Sequence, residues 1–192
     1  MEENQPTTGK YSLNFGALAG GIGIVFGIML YTMDIHYERG LAVQATQIAI
    51  LAAVIALGIF QFKKANLGFL SLSEALKLGA GIALISGIIG LIYFFVFSNY
   101  VEPDFMDNMY EIGKQQAMEN NPELTEEQID QGIEMQKSFA WISYPVILIL
   151  NVIIGLVVGL IAGLILKKQK PAYWLQNCIF GQTYRIIEWI CP

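Results

Sequence analysis

Charge is what this sequence lacks. Only 14% of its residues are Asp, Glu, Lys or Arg, where a soluble domain carries roughly a quarter. With hydrophobic residues at 55%, a water-soluble globular domain is excluded and a bilayer is the expected solvent. Cysteine is scarce too. Cys178 and Cys191 lie in the C-terminal stretch with no Cys-x-x-Cys and no Cys/His cluster, so their spacing carries no metal or redox signature. Histidine occurs once, as His36 between Asp34 and Glu38. One histidine cannot build a multi-histidine metal or di-haem site, and the residue reads as part of a surface turn. No nucleophile, general-base or metal constellation emerges, so no cofactor is expected and enzymatic chemistry is disfavoured. There is no nucleotide-binding pattern, and no nucleic-acid partner is expected.

What is present is a set of charge-free windows. No Asp, Glu, Lys, Arg or His occurs from Tyr11 to Met33, Gly40 to Phe62, Leu78 to Val101 or Ser138 to Leu166. A helix rises about 1.5 Å per residue and the hydrocarbon layer is about 30 Å thick, so about 20 apolar residues suffice to span it. Each window is long enough. The first is preceded by two glutamates against one lysine and runs into Tyr31-Thr32-Met33-Asp34 rather than a small-residue cleavage site. An uncleaved span is therefore expected in place of a secretory signal.

The expected fold is an all-α polytopic membrane protein, with four transmembrane helices and a helical hairpin inserted between the third and fourth. Spans are placed at 13–33, 41–62, 78–98 and 140–166. Between them lie an outer turn at 34–40, a cytoplasmic loop with an interfacial helix start at 63–77, and an acidic outer hairpin at 99–139. Residues 1–12 and 167–192 form the N-terminus and the tail. Orientation follows from Lys and Arg, which accumulate on the cytoplasmic side of short connections. Lys10, Lys63, Lys64, Lys77, Lys167, Lys168, Lys170 and Arg185 fall on one side, and Arg39, Lys114 and Lys137 on the other. Both termini are expected in the cytoplasm of a cell (inner) membrane.

Small residues recur every turn in two spans: Gly16 and Gly20, Gly23 and Gly27 in the first, and Gly155, Gly159 and Gly163 in the fourth. Such stripes let helix backbones approach in lipid. They serve an oligomer interface or, more simply, packing within the bundle. Polar groups in the spans are few: Gln44 and Gln47 in the second, Ser86 in the third, Asn151 in the fourth. Ser86 and Asn151 fall at similar depth, where they either hydrogen-bond across helices or line a polar path; the former is favoured. No ionisable residue marks an ion pathway. Pro145 removes a backbone donor near the start of the fourth span and is expected to kink it, beside the interface-suited Trp141 and Tyr144.

Ser71 followed by Glu74 fits a capping box opening the third helix ahead of the membrane. The stretch Lys-Lys-x-Asn-Leu-Gly-Phe-Leu-Ser-Leu-Ser-Glu-Ala-Leu-Lys-Leu-Gly, the Pro103-Asp104-Phe105 start of an acidic insert and the Gly-rich last span ending in Lys167-Lys168 together resemble the bacterial membrane proteins grouped as domain of unknown function 4199. The resemblance covers roughly Tyr11 to Lys170. It implies a four-span inner-membrane protein from a Gram-negative lineage, and brings no activity, ligand or functional residue with it.

From Glu102 to Lys137, ten carboxylates meet two lysines. Phe105, Met109 and Ile112 recur at helical spacing, leaving Asp104, Asp107 and Glu111 on one face. A break follows at Asn120-Asn121-Pro122. A second helix opens at Thr125 with Gln128 three residues on, places Glu126, Asp130 and Glu134 on one face, and is expected to run to Phe139, either stopping there or joining the fourth span without a break. Calcium and magnesium sites want six or more oxygens from a shaped loop, which is missing. The faces therefore read first as solvated surface, second as a docking surface for a basic partner or a cation-attracting mouth. The tail after Pro171 holds Tyr173, Trp174, Tyr184 and Trp189 and reads as an interfacial segment or as a divergent extension. The functional expectation is a non-enzymatic accessory, scaffold or sensing component. Its partners would be the lipid bilayer and a protein partner or second copy. A small channel or transporter is the alternative.

Overall fold

The computed structural model describes residues 6–37, 40–121 and 123–168. The fold is all-α. Its helices are α1 Thr8–Thr32, α2 Leu41–Ala65, α3 Leu72–Val96, α4 Phe105–Asn120, α5 Glu126–Ser138 and α6 Ala140–Leu166, with a π-turn, Phe97–Val101, extending α3. α1, α2, α6 and α3 with its π-turn are each long and apolar enough to cross a membrane. Among the described residues no strand forms. The expectations for the tail, for Arg39 and for Pro122 fall outside the described residues.

Local chemistry explains where the helices start. The Ser71 hydroxyl accepts from the Glu74 backbone N–H at 3.2 Å, and the Glu74 carboxylate accepts from the Ser71 backbone N–H at 2.8 Å. This closed capping box satisfies two otherwise orphaned donors and starts α3 six residues before its charge-free window. Thr125 and Gln128 form a second box opening α5. Between α2 and α3 the chain reverses through Leu67 (φ 54°) and Gly68 (φ 81°), a left-handed pair of which only the glycine is unstrained. Of the two ways left open for the α5–α6 junction, the helix stops. α5 ends at Ser138, and Phe139 (φ −100°, ψ 8°) leaves the helical region before α6 begins. Pro145 lies inside α6, which continues through it.

Helix α3 is the hub, packed most extensively on α6 and α1. Its contact with α6 is a glycine seam. A Cβ on Gly79 would lie 2.2 Å from the Gly155 carbonyl oxygen, and one on Gly155 would lie 2.4 Å from that of Gly79. Gly159 and Gly163 continue the seam against Ala75 and Leu72. On the α1 side, Gly16 and Gly20 receive Ile85 and Ile89 of α3, and Gly27 receives the Tyr93 ring. Gly23 meets nothing within 4 Å. In lipid, where apolar burial drives little, such close approach gains the dispersion contacts that hold helices together.

The core sits at the end of the bundle that carries Lys63, Lys64 and Lys168, here the lysine end. Ile55, Ile59, Leu70, Leu78 and Ile82 are all fully buried there, with Phe62 beside them. Leu70 and Lys168 exchange both backbone hydrogen bonds at 2.9 Å in an isolated antiparallel bridge, tying the α2–α3 loop to the end of α6. The opposite end is looser. From Leu41 to Ile50 no residue of α2 is buried, whereas Leu51, Val54, Ile55, Gly58, Ile59 and Phe62 are.

Candidate functional site

At the loose end, hereafter the hairpin end, the polypeptide builds a polar cluster in an aromatic shell. Asp34 (φ 58°) turns the chain back on α1, with Ile35 N–H donating to the Leu30 carbonyl at 3.1 Å. Asp tolerates this left-handed conformation better than most residues. The reversal brings His36 over the last turn of α1. On the far side the π-turn closes with Glu102 N–H donating to the Phe97 carbonyl at 2.9 Å. A π-turn widens the backbone spiral and commonly marks functional positions; here it swings Glu102 inward instead of letting α3 end in solvent.

His36 Nε2 lies 3.0 Å from Glu102 Oε2, with side-chain exposures of 9% and 20%. The two are within ion-pair distance, yet neither imidazole nitrogen nor that oxygen is in hydrogen-bond geometry with any group. The contact is therefore one of proximity and charge rather than an aligned hydrogen bond. The other carboxylate oxygen accepts from the Tyr37 hydroxyl, and Asn108 Nδ2 donates to the same hydroxyl at 2.8 Å. Rings of Tyr31, Tyr37, Phe97 and Phe105 surround the imidazole at centroid distances of 4.2 to 6.2 Å. Burial pushes the Tyr37 phenol above its ordinary range, and the hydrogen bond to Glu102 adds to this. The charges of Glu102 and Asp104 act the same way; the Asn108 bond opposes them. The α1–α2 turn, the π-turn and α4 are thus fastened at one point. His36 is accordingly not the surface-turn residue expected from its position, because the π-turn and α4 cover it. The concentration of Phe94, Phe97 and Phe105 at the edge of the third window was the available signal.

The hairpin is internally paired. Met109 of α4 and Ile129 of α5 are buried. Lys114 reaches Asp130 at 2.6 Å, and Lys137 reaches Asp107 at 3.6 Å while lying 4.8 Å above the Tyr110 ring. The Asp130 hydrogen bond raises the Lys114 pKa against desolvation, helped by the charges of Asp130, Glu126 and Glu111. Of the six surface carboxylates singled out from sequence, Asp107 and Asp130 are thereby used within the hairpin. Asp104, Glu111, Glu126 and Glu134 make no ion pair among the described residues. No group of three His, Cys, Asp or Glu able to hold a metal occurs among the described residues.

Below this cluster the splayed start of α2 leaves a cavity of about 390 Å³ between α1, α2, α3 and α6. Gly20, Gly23 and Gly27 of α1 line it, as do Gln47, Ser86 and Asn151. Ser86 and Asn151, paired by depth in the sequence, do face one space from α3 and α6. They are not joined by the hydrogen bond that was favoured for them, and Asn151 packs instead over Gly87. A wider, open groove of about 610 Å³ runs between α1 and α2 at the lysine end, past Lys10, Asn14 and Gln61.

No curated protein and no solved structure matches the chain. The family described as Protein of unknown function (DUF4199) matches residues 14–168, which takes in α1 from Asn14 onward, the other three long apolar helices, the hairpin and both the polar cluster and the cavity. A four-span helical bundle with an inserted acidic hairpin is therefore the architecture of a family member: this chain belongs to the DUF4199 family.

Proposed function

We propose that this protein is a non-enzymatic accessory or sensing component of the inner (cytoplasmic) membrane, with both termini in the cytoplasm and the α4–α5 hairpin outside. The observation that carries the reading is the fastening of His36, Tyr37, Glu102 and Asn108. It couples a soluble acidic hairpin to the ends of α1 and α3, so that whatever binds the hairpin acts on the spans. The free carboxylates Asp104, Glu111, Glu126 and Glu134 suit a basic partner surface, since like-signed clusters steer and select complementary charge. The lysines at the opposite end support the orientation. The channel reading is less favoured: fully buried Ile55, Ile59, Leu78 and Ile82 fill the lysine end, which leaves the cavity blind.

The test is photo-crosslinking in intact cells from an unnatural residue at Glu134. A discrete protein adduct that disappears when Asp104, Glu111 and Glu126 are changed to Lys supports the reading. Adducts indifferent to that charge reversal, or to lipid alone, refute it. Reporter fusions at Asn120 and after Lys170 test the orientation, which an outward C-terminus would overturn.

A further inference from the structure

The cavity at the hairpin end has the attributes of a ligand site that the proposed accessory role does not use. Its volume of about 390 Å³ sits near the low end of the roughly 300–1,000 Å³ typical of ligand pockets, which are mostly apolar with a few convergent polar groups. Among the described residues its wall contains no Asp, Glu, Lys, Arg or His. A phosphate, carboxylate or ammonium entering it would lose its hydration with no charge to meet it, so the part of a ligand that enters is uncharged.

Two observations bear on what this space holds. The first is chemical. Gln47, Ser86 and Asn151 reach the cavity from α2, α3 and α6, and none makes a side-chain hydrogen bond among the described residues. Gln47 is exposed, whereas Ser86 and Asn151 are half-buried; an amide or hydroxyl facing apolar surroundings gains from a hydrogen-bonding partner, and both of these groups donate and accept. The second is steric. Gly23 and Gly90 line the cavity, and a Cβ on either would meet nothing within 4 Å. Unlike Gly79 and Gly155, they are not held to glycine by a neighbouring backbone. Both are exposed on the open side of the cavity, and a larger side chain at either would fill space there.

We propose that this cavity binds an uncharged, single-chain lipid bearing a hydroxyl or carbonyl group, drawn from the bilayer. The chain lies against Gly23, Gly90 and Leu91, and its polar group meets Ser86 and Asn151. Entry is from the membrane beside the splayed half of α2, between Leu41 and Ile50, where no residue is buried. This assignment is independent of the hairpin's partner, and either can fail without the other.

The experiment reconstitutes the full chain in phosphatidylcholine vesicles with a monoacylglycerol carrying a diazirine and an alkyne in its chain, then maps labelled residues by mass spectrometry. Label is expected on the cavity-lining turns of α1, α3 and α6 and is displaced by excess unlabelled monoacylglycerol. Gly23→Leu and Gly90→Leu, which fill the space, each reduce it at least about fivefold. Asn151→Leu, which keeps the size and removes the hydrogen bond, reduces it about fivefold, the equivalent of one net hydrogen bond. Gly21→Leu, on the same helix but outside the cavity and equally free of neighbours, leaves it unchanged. Equal labelling in all four variants, labelling that excess ligand does not displace, or equal labelling of these turns by a phosphatidylcholine with the same diazirine would overturn the proposal. Gly23→Leu and Gly90→Leu lie on different helices, so misfolding of one leaves the other to decide.

Discussion

Replacing Gly79 by alanine adds a single methyl group, yet it is expected to destabilise the bundle by about 2 kcal/mol. The new Cβ would stand 2.2 Å from the Gly155 carbonyl oxygen and 3.0 Å from the Gly159 Cα, more than 1 Å inside ordinary contact in the first case. Both neighbours are backbone, so no side-chain rotation relieves the overlap and α3 must move off α6. Overpacking of this kind costs about 1–3 kcal/mol, and the rigidity of the neighbours argues for the upper end. Alanine recovers about 1 kcal/mol of helix propensity, which leaves the net figure. Gly90→Ala is the internal control: with nothing within 4 Å it keeps the propensity gain without the clash. Unfolding in mixed micelles titrated with SDS, followed by tryptophan fluorescence, reads both. Opposite signs are expected. A neutral or stabilising Gly79→Ala, or shifts of the same sign for the two, would refute the account of the glycine seam.

Three further outcomes are expected. Ser71→Ala removes the α3 capping box and should cost about 1 kcal/mol in the same titration, while Ser73→Ala at the second helical position should cost less. Leu70→Ala empties a fully buried position and should cost about 3 kcal/mol, with faster amide exchange at Lys168, whose N–H donates to the Leu70 carbonyl. The Tyr37 phenol, raised in the folded state by burial and then by Glu102, contributes stability that is complete below the ordinary tyrosine range and is lost as pH climbs through the raised value. Amide exchange in α4 should therefore accelerate at alkaline pH in the parent chain, and Tyr37→Phe should abolish that pH dependence. An unaltered profile in Tyr37→Phe would remove Tyr37 from the fastening.

Several elements could be read directly from residue order. The Ser71–Glu74 and Thr125–Gln128 boxes are local, each needing only a side chain and a backbone N–H three residues away, and both occur as read. The α5–α6 junction could not be read this way, because the sequence from Gln136 to Trp141 carries no breaker and only packing decides that Phe139 departs from helical geometry. The burial of His36 escapes the local sequence for a similar reason. Its burial is produced by Glu102, Phe97 and Phe105, which the chain reaches only after two more spans, and Tyr37 stands 65 residues from its partner Glu102. Ser86 and Asn151 were legible as a pair at one depth, since helical rise sets depth. That they face open space rather than each other depends on how far α2 splays.

The sequence by itself determined four apolar helices, an acidic hairpin and the caps that begin α3 and α5. All of these follow from charge, hydropathy and hydrogen bonding over a few consecutive turns. Tertiary structure alone decided which glycines are seams and which face a void, that a π-turn carries Glu102 to His36, and that α2 parts from the bundle at one end. Those outcomes depend on contact distances between helices remote in sequence, where a carbonyl one ångström nearer or farther separates a tight seam from a cavity.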